Sequence, residues 1–152
     1  MLQQLSDKDQ PRAPSSSRRY VFVGQCRSKR AMHLRVHWED GRLAGKTLHD
    51  ALRAVGLDPR EQTFLNLYGD DDPQVIDQAA LTQVRDLADA GAVIVGLGKV
   101  VQAALARAGV AHLPLVHPAA RGTIRARHAY RDHVASVLIA ARGVRDPDSR
   151  AA

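Results

Sequence analysis

Four short apolar runs, separated by stretches of helical periodicity, constrain this chain more than any other feature. Tyr20–Val23 is β-rich and closed by Gly24, and Thr63–Tyr68 is closed by Gly69. Ala92–Leu97 is wholly apolar, and Val110–Val116 is closed by His117-Pro118. Between them, Arg42–Val55 sets Leu43, Leu48, Leu52 and Val55 on one helical face, with Gly56 as the stop. Asp77–Ala90 does the same with Ala79, Ala80, Val84, Leu87 and Ala88, and Gly91 ends it. Lys99–Ala108 is a small-residue helix ended by Gly109, and Ala126–Ala141 is the last helix. Strands that are apolar throughout are buried on both faces, and helical connections make them parallel. The expected fold is therefore α/β, a three-layer α/β/α sandwich with a central four-stranded parallel sheet.

At 152 residues, one domain is expected, with an ordered part at 19–142. Residues 1–18 read as a disordered basic arm and 143–152 as a flexible tail, both poor in apolar residues. The polar start does not read as a secretory signal, and no apolar run reaches the ~20 residues of a membrane span. One cysteine, Cys26, leaves no disulfide framework, Cys-based zinc site or cysteine-held cluster, and points to a cytoplasmic setting.

Right-handed crossovers bring the carboxyl ends of all four strands to one edge, where ligands bind in open sheets. Gly24-Gln25-Cys26, Asn66, Gly96-Leu97-Gly98 and His117-Pro118 all fall there. Asn66 lies inside an apolar strand, where a buried amide needs partners. Val101 replaces the third glycine of a dinucleotide fingerprint, so Gly96 and Gly98 read as packing glycines. Trp38, the single tryptophan, sits in a polar stretch as either a core plug or a stacking platform. Asp70-Asp71-Asp72 reads as a solvated acidic turn, no metal site is expected, and no G-x-S-x-G elbow occurs.

Arginine outnumbers lysine 18 to 4, and the net charge is +6. Residues 11–30 hold six basic side chains and residues 121–131 hold four, with no acid in either stretch. Such clusters fit a polyanion, although biased composition would also produce them.

Six stretches in order carry a further pattern over Tyr20–Leu138. They are Val23-Gly24-Gln25-Cys26-Arg27-Ser28, Trp38, Gly41-Arg42-Leu43-Ala44-Gly45, Phe64-Leu65-Asn66-Leu67, Val95-Gly96-Leu97-Gly98 and Leu113-Pro114-Leu115-Val116-His117-Pro118-Ala119-Ala120-Arg121. Together they resemble the uracil-DNA glycosylase superfamily, closest in motif style to its iron–sulfur branch. Cys26-Arg27 stand where that pattern has a proline, no acid occupies Cys26, and the cluster cysteines are missing.

The resemblance implies a DNA-repair hydrolase that flips uracil or a related deaminated base into a pocket, without a cofactor. Trp38 would stack on the base and Asn66 would read its edge, with Gly24 and Cys26 lining the site. His117 and Gln25 would serve catalysis, with Glu39 or Asp40 as distant candidates to orient water. Arg27, Lys29, Arg30, Arg121, Arg125 and Arg127 would meet the DNA backbone. Two alternatives stay open: a nucleic-acid or nucleobase binder that does not hydrolyse, and a flavodoxin-like small-molecule or interaction domain.

Overall fold

The structure, a computed structural model, describes residues 19–120 and 127–145. The expected arm, Arg121, Arg125 and the chain after 145 lie outside the described residues, as does the side chain of Arg127. The elements are β1 (Tyr20–Gly24), α1 (Lys29–Leu34), a 3-10 turn (Trp38–Asp40), α2 (Ala44–Ala54), a second turn (Pro59–Glu61) and β2 (Thr63–Asn66). They continue with α3 (Gln78–Asp89), β3 (Val93–Leu97), α4 (Lys99–Arg107), β4 (Leu113–Leu115) and α5 (Arg127–Arg145).

The sheet is four-stranded and wholly parallel, in the order β2-β1-β3-β4. All five residues of β1 and all five of β3 are buried, as strands covered on both faces require. Alternation sends Tyr20 and Phe22 to one face, against Leu48 and Leu52 of α2 and Tyr130, Val134 and Leu138 of α5. It sends Val21 and Val23 to the other, against Leu81 and Val84 of α3 and Val101 and Leu105 of α4. Phe22 and Phe64 stack across β1 and β2 at 5.5 Å between ring centres, an offset pair worth about 0.5–1.5 kcal/mol beyond its area. The three-layer α/β/α sandwich is thus observed.

Element boundaries depart from expectation for local reasons. The helix expected from Arg42 begins at Ala44, because Leu43 sits at φ 57°, ψ −131° and cannot be helical. Asp77 is not the first helical residue of α3 but its cap, its carboxylate accepting from Ala79 and Ala80 backbone N–H groups. The buried face of α3 is Leu81 and Val84, whereas Ala79 is exposed. β4 shrinks to three residues at the sheet edge, where Pro114 lacks an N–H to donate. α5 runs through Gly143 to Arg145, past the expected boundary at 142. α1 was not expected. It is a six-residue helix capped by Ser28, whose hydroxyl accepts from Ala31 N–H, and it buries no side chain.

From β1 the chain crosses to β2 on one side and then to β3 on the other. The order reverses between β1 and β3, which opens a crevice above their carboxyl ends. Among the described residues, no helix is long and apolar enough to cross a membrane.

Candidate functional site

The crevice is organised by one indole. Gly24 and Asn66 pair in register at the ends of β1 and β2. Leu67 and Tyr68 N–H groups donate to the carbonyls of Gly24 and Gln25, both at 2.8 Å, and prolong that pairing into the loops. Trp38 Nε1 donates to Asn66 Oδ1 at 2.7 Å. An indole N–H can only donate, so this bond fixes the amide orientation and leaves Asn66 Nδ2 as a donor pair. The approach is possible because residue 24 has no side chain. A Cβ there would lie 2.8 Å from Asn66 Oδ1 and 2.9 Å from two indole atoms.

The backbone around Trp38 is held from three sides. His37 N–H donates to Asp40 Oδ2 at 2.7 Å, and Gly41 N–H donates to the Trp38 carbonyl at 3.1 Å. A Cβ on Gly45, in the first turn of α2, would come within 3.2 Å of that carbonyl. His49, buried and stacked on Phe64 at 5.3 Å, fills the space under Gly41. Burial lowers the pKa of His49 despite a hydrogen bond to the Trp38 backbone, so it is a neutral support for the turn.

His117 follows β4 and faces Trp38 with ring centres 5.8 Å apart and planes inclined at 59°. Its Nδ1 accepts from Ala119 N–H at 3.0 Å. The neutral ring therefore carries its hydrogen on Nε2. Burial lowers the His117 pKa, which favours that neutral donor. Gly98, at φ +89°, lets the chain turn from β3 into α4 beside the His117 side chain. Gln102, which sequence reasoning passed over, donates to the carbonyls of Gly96 and Leu115, both at 3.1 Å, and ties the ends of β3 and β4 together.

Trp38 and His117 line a common cavity of about 250 Å³. The turn after β1 contributes Cys26, Arg27 and Ser28, α1 contributes Arg30 and Ala31, and the entry to α2 contributes Arg42, Leu43 and Gly45. The volume suits a flat heterocycle, and the polar groups are few, as small-molecule sites require. Burial and the nearby Asp70 push the Cys26 thiol pKa up, so Cys26 is a neutral wall rather than a thiolate.

The expected residues divide into groups. Trp38, His117, Cys26, Arg27 and Arg30 line the cavity. Gly24 and Asn66 stand behind the indole, touching the site through it, and among the described residues Gln25 contributes its carbonyl, to Tyr68. Lys29 is exposed on α1, away from the lining. Arg27 is committed to Asp70. Its Nε and a terminal nitrogen reach Oδ2 at 2.9 and 2.8 Å, while its backbone N–H donates to Oδ1 at 3.1 Å. Asp70 therefore does not belong to a freely solvated acidic turn; it ties the loop after β2 to the loop after β1. Glu39 and Asp40 do not line the cavity. Among the described residues, no group of three or more potential ligands could hold a metal.

Arg42 and Leu43 were missed as site residues because they read as the start of a helix. The adjacent glycines, Gly41 and Gly45, were the available signal. No protein-family model and no curated protein matches the chain.

Proposed function

We propose that this protein is a DNA glycosylase-like hydrolase that draws uracil or a related deaminated base out of DNA into the cavity. The observation that carries the reading is the shared cavity of Trp38 and His117, with the imidazole hydrogen on Nε2. A base in a duplex must be extruded before chemistry, and the indole offers it an apolar face. Asn66, behind the indole, accepts from Trp38 Nε1 and so sets the face that the indole offers to the base. Breaking the N-glycosidic bond sends the electron pair to the base and leaves an oxocarbenium-like sugar. His117 Nε2–H donates to the base oxygen as that charge grows. Water then adds to the sugar carbon and gives up a proton to solvent. A preorganised donor of this kind contributes about 2.7–4 kcal/mol to the transition state. The partner is DNA, no cofactor is needed, and the lone Cys26 suits a cytoplasmic setting.

One observation favours the second reading, a binder that does not hydrolyse. Among the described residues, no carboxylate lines the cavity to orient water, and the indole already holds Asn66 Oδ1. The two are separated by incubating the protein with single-stranded and duplex oligonucleotides containing uracil, then cleaving abasic sites with alkali. Cleavage that vanishes in His117→Ala and Trp38→Ala supports the hydrolase. Binding without cleavage on either substrate establishes the binder, and neither binding nor cleavage removes both.

A further inference from the structure

His117 can act only if the strand end that carries it is fixed, and the polar contacts that fix it come from α5. Tyr130 and His133 lie three residues apart, on one face of that helix. Tyr130 Oη donates to the Val116 carbonyl at 2.7 Å. Val116 N–H donates to His133 Nε2 at 3.0 Å. Both backbone groups of the residue preceding His117 are thus taken by side chains one helical turn apart. On either side the chain is held by other means. The Leu115 carbonyl is bound by Gly98 N–H and by Gln102, whereas the His117 carbonyl and Nδ1 are used within its own turn, by Ala120 and Ala119.

We infer that Tyr130 and His133 are positioning residues that hold His117 at the cavity by gripping the Val116 backbone, and that protonation of His133 at Nε2 releases the grip. The inference rests on the site reading above only in taking His117 as the working group. Apolar packing of α5 against the sheet does not need this pair. Val134 and Leu138 are buried against it, and a phenyl ring would fill the Tyr130 space. What the hydroxyl and the imidazole add is direction at one peptide.

The grip has a built-in protonation requirement. Nε2 accepts a hydrogen bond only while unprotonated, so the bonded ring is neutral, with its hydrogen on Nδ1. Burial lowers the His133 pKa, and no charged group of β4, α2 or α5 among the described residues adds to that effect. The Tyr130 ring, centred 6.1 Å away, is its aromatic neighbour. Since the folded pKa lies below the ordinary histidine value, the grip is complete above about pH 6.5 and weakens as pH falls through the lower folded value.

The test uses the full chain and needs no ligand. Hydrogen exchange at the Val116 amide, corrected for intrinsic rate, is followed from about pH 7.5 to about pH 5, with imidazole nitrogen resonances reporting His117 and His133. In the unaltered protein, protection of Val116 should fall with His133 protonation. His133→Gln supplies an acceptor that does not titrate, and should keep the protection at low pH. His133→Leu should lose about fivefold or more at every pH, and Tyr130→Phe should broaden the His117 resonances without abolishing the fold.

Protection that is independent of pH in the unaltered protein, or that is lost at the same pH in His133→Gln, overturns the inference. If His133→Leu does not fold, His133→Gln and Tyr130→Phe still decide it. A verified grip in a protein that neither binds nor cleaves DNA would refute the functional reading alone. The converse result would refute only the grip.

Discussion

Replacing Gly24 with alanine puts one methyl group where the indole of Trp38 and the carboxamide of Asn66 meet. Gly24 is not at positive φ, so alanine is compatible with its backbone, and the whole effect is steric. The new carbon would lie 2.8 Å from Asn66 Oδ1 and 2.9 Å from Trp38 Nε1 and Cζ2, where ordinary contact begins at 3.4 Å. The indole must therefore retreat by about 0.5 Å, which stretches the 2.7 Å bond to Asn66. Overpacking costs about 1–3 kcal/mol, and the weakened hydrogen bond up to ~1 kcal/mol more. The smaller unfolded-state entropy of alanine returns about 0.4–1 kcal/mol.

A net loss of about 1–3 kcal/mol is expected, and each kcal/mol lowers the melting temperature by about 2–4 °C in a chain of this size. The decisive assay is a double-mutant cycle with Trp38→Ala, followed by circular dichroism during urea unfolding. With the indole gone, Asn66 is free to turn and the methyl fills vacated space. Gly24→Ala should then cost under about 0.5 kcal/mol, a coupling of about 0.5–3 kcal/mol. Costs that add to within about 0.3–0.5 kcal/mol would show that the methyl meets something other than the indole and refute the reasoning.

Asp70→Asn tests the loop tie. Burial works to raise the Asp70 pKa, but the Arg27 hydrogen bonds outweigh it and hold the carboxyl below its ordinary value. The tie is therefore complete above about pH 3.9 and lost as pH falls through the lower folded value. With side chains 21% and 32% exposed, it contributes only about 0.5–1 kcal/mol, and the variant should lose that much at neutral pH and show a shallower acid limb in urea titrations. Leu43→Gly should relieve a φ of 57°, gaining up to ~2 kcal/mol of strain against about 0.5–1 kcal/mol of glycine entropy. The same change strips an apolar wall from the cavity, so thermal stability should rise while oligonucleotide affinity falls about fivefold. Arg30→Gln and Arg42→Gln should each reduce the slope of log affinity for DNA against log salt by about 0.7–0.9, measured by fluorescence anisotropy. Arg27→Gln should reduce it less, because Asp70 already neutralises that guanidinium.

The sheet was legible because its strands announce themselves twice, by apolar composition and by the glycine or proline that stops them. β3 needs nothing else: a strand buried on both faces cannot alternate, and Val93–Leu97 does not. Parallel topology alone sends Asn66 and His117 to one edge, whereas Trp38 lies in a turn between helices and its place beside His117 was implied only by the resemblance. What could not be read was commitment. Arg27 and Asp70 are 43 residues apart, and nothing local distinguishes a paired guanidinium from a free one. Asn66 was read as facing the ligand, yet its oxygen is turned to the indole, a choice made by the missing side chain at Gly24. α1 escaped notice because six residues without a buried face leave no periodicity to detect. Nothing local in α5 marks Tyr130 and His133, and only the register between α5 and β4 reveals that they face a peptide.

That α1 buries nothing has an evolutionary corollary. It supplies Arg30 and Ala31 to the mouth of the cavity while contributing no side chain to either core. Sequence drift in those six residues can alter what enters without loosening the sandwich beneath. A descendant with a new preference would thus be reached first through the wall that the scaffold can most easily do without.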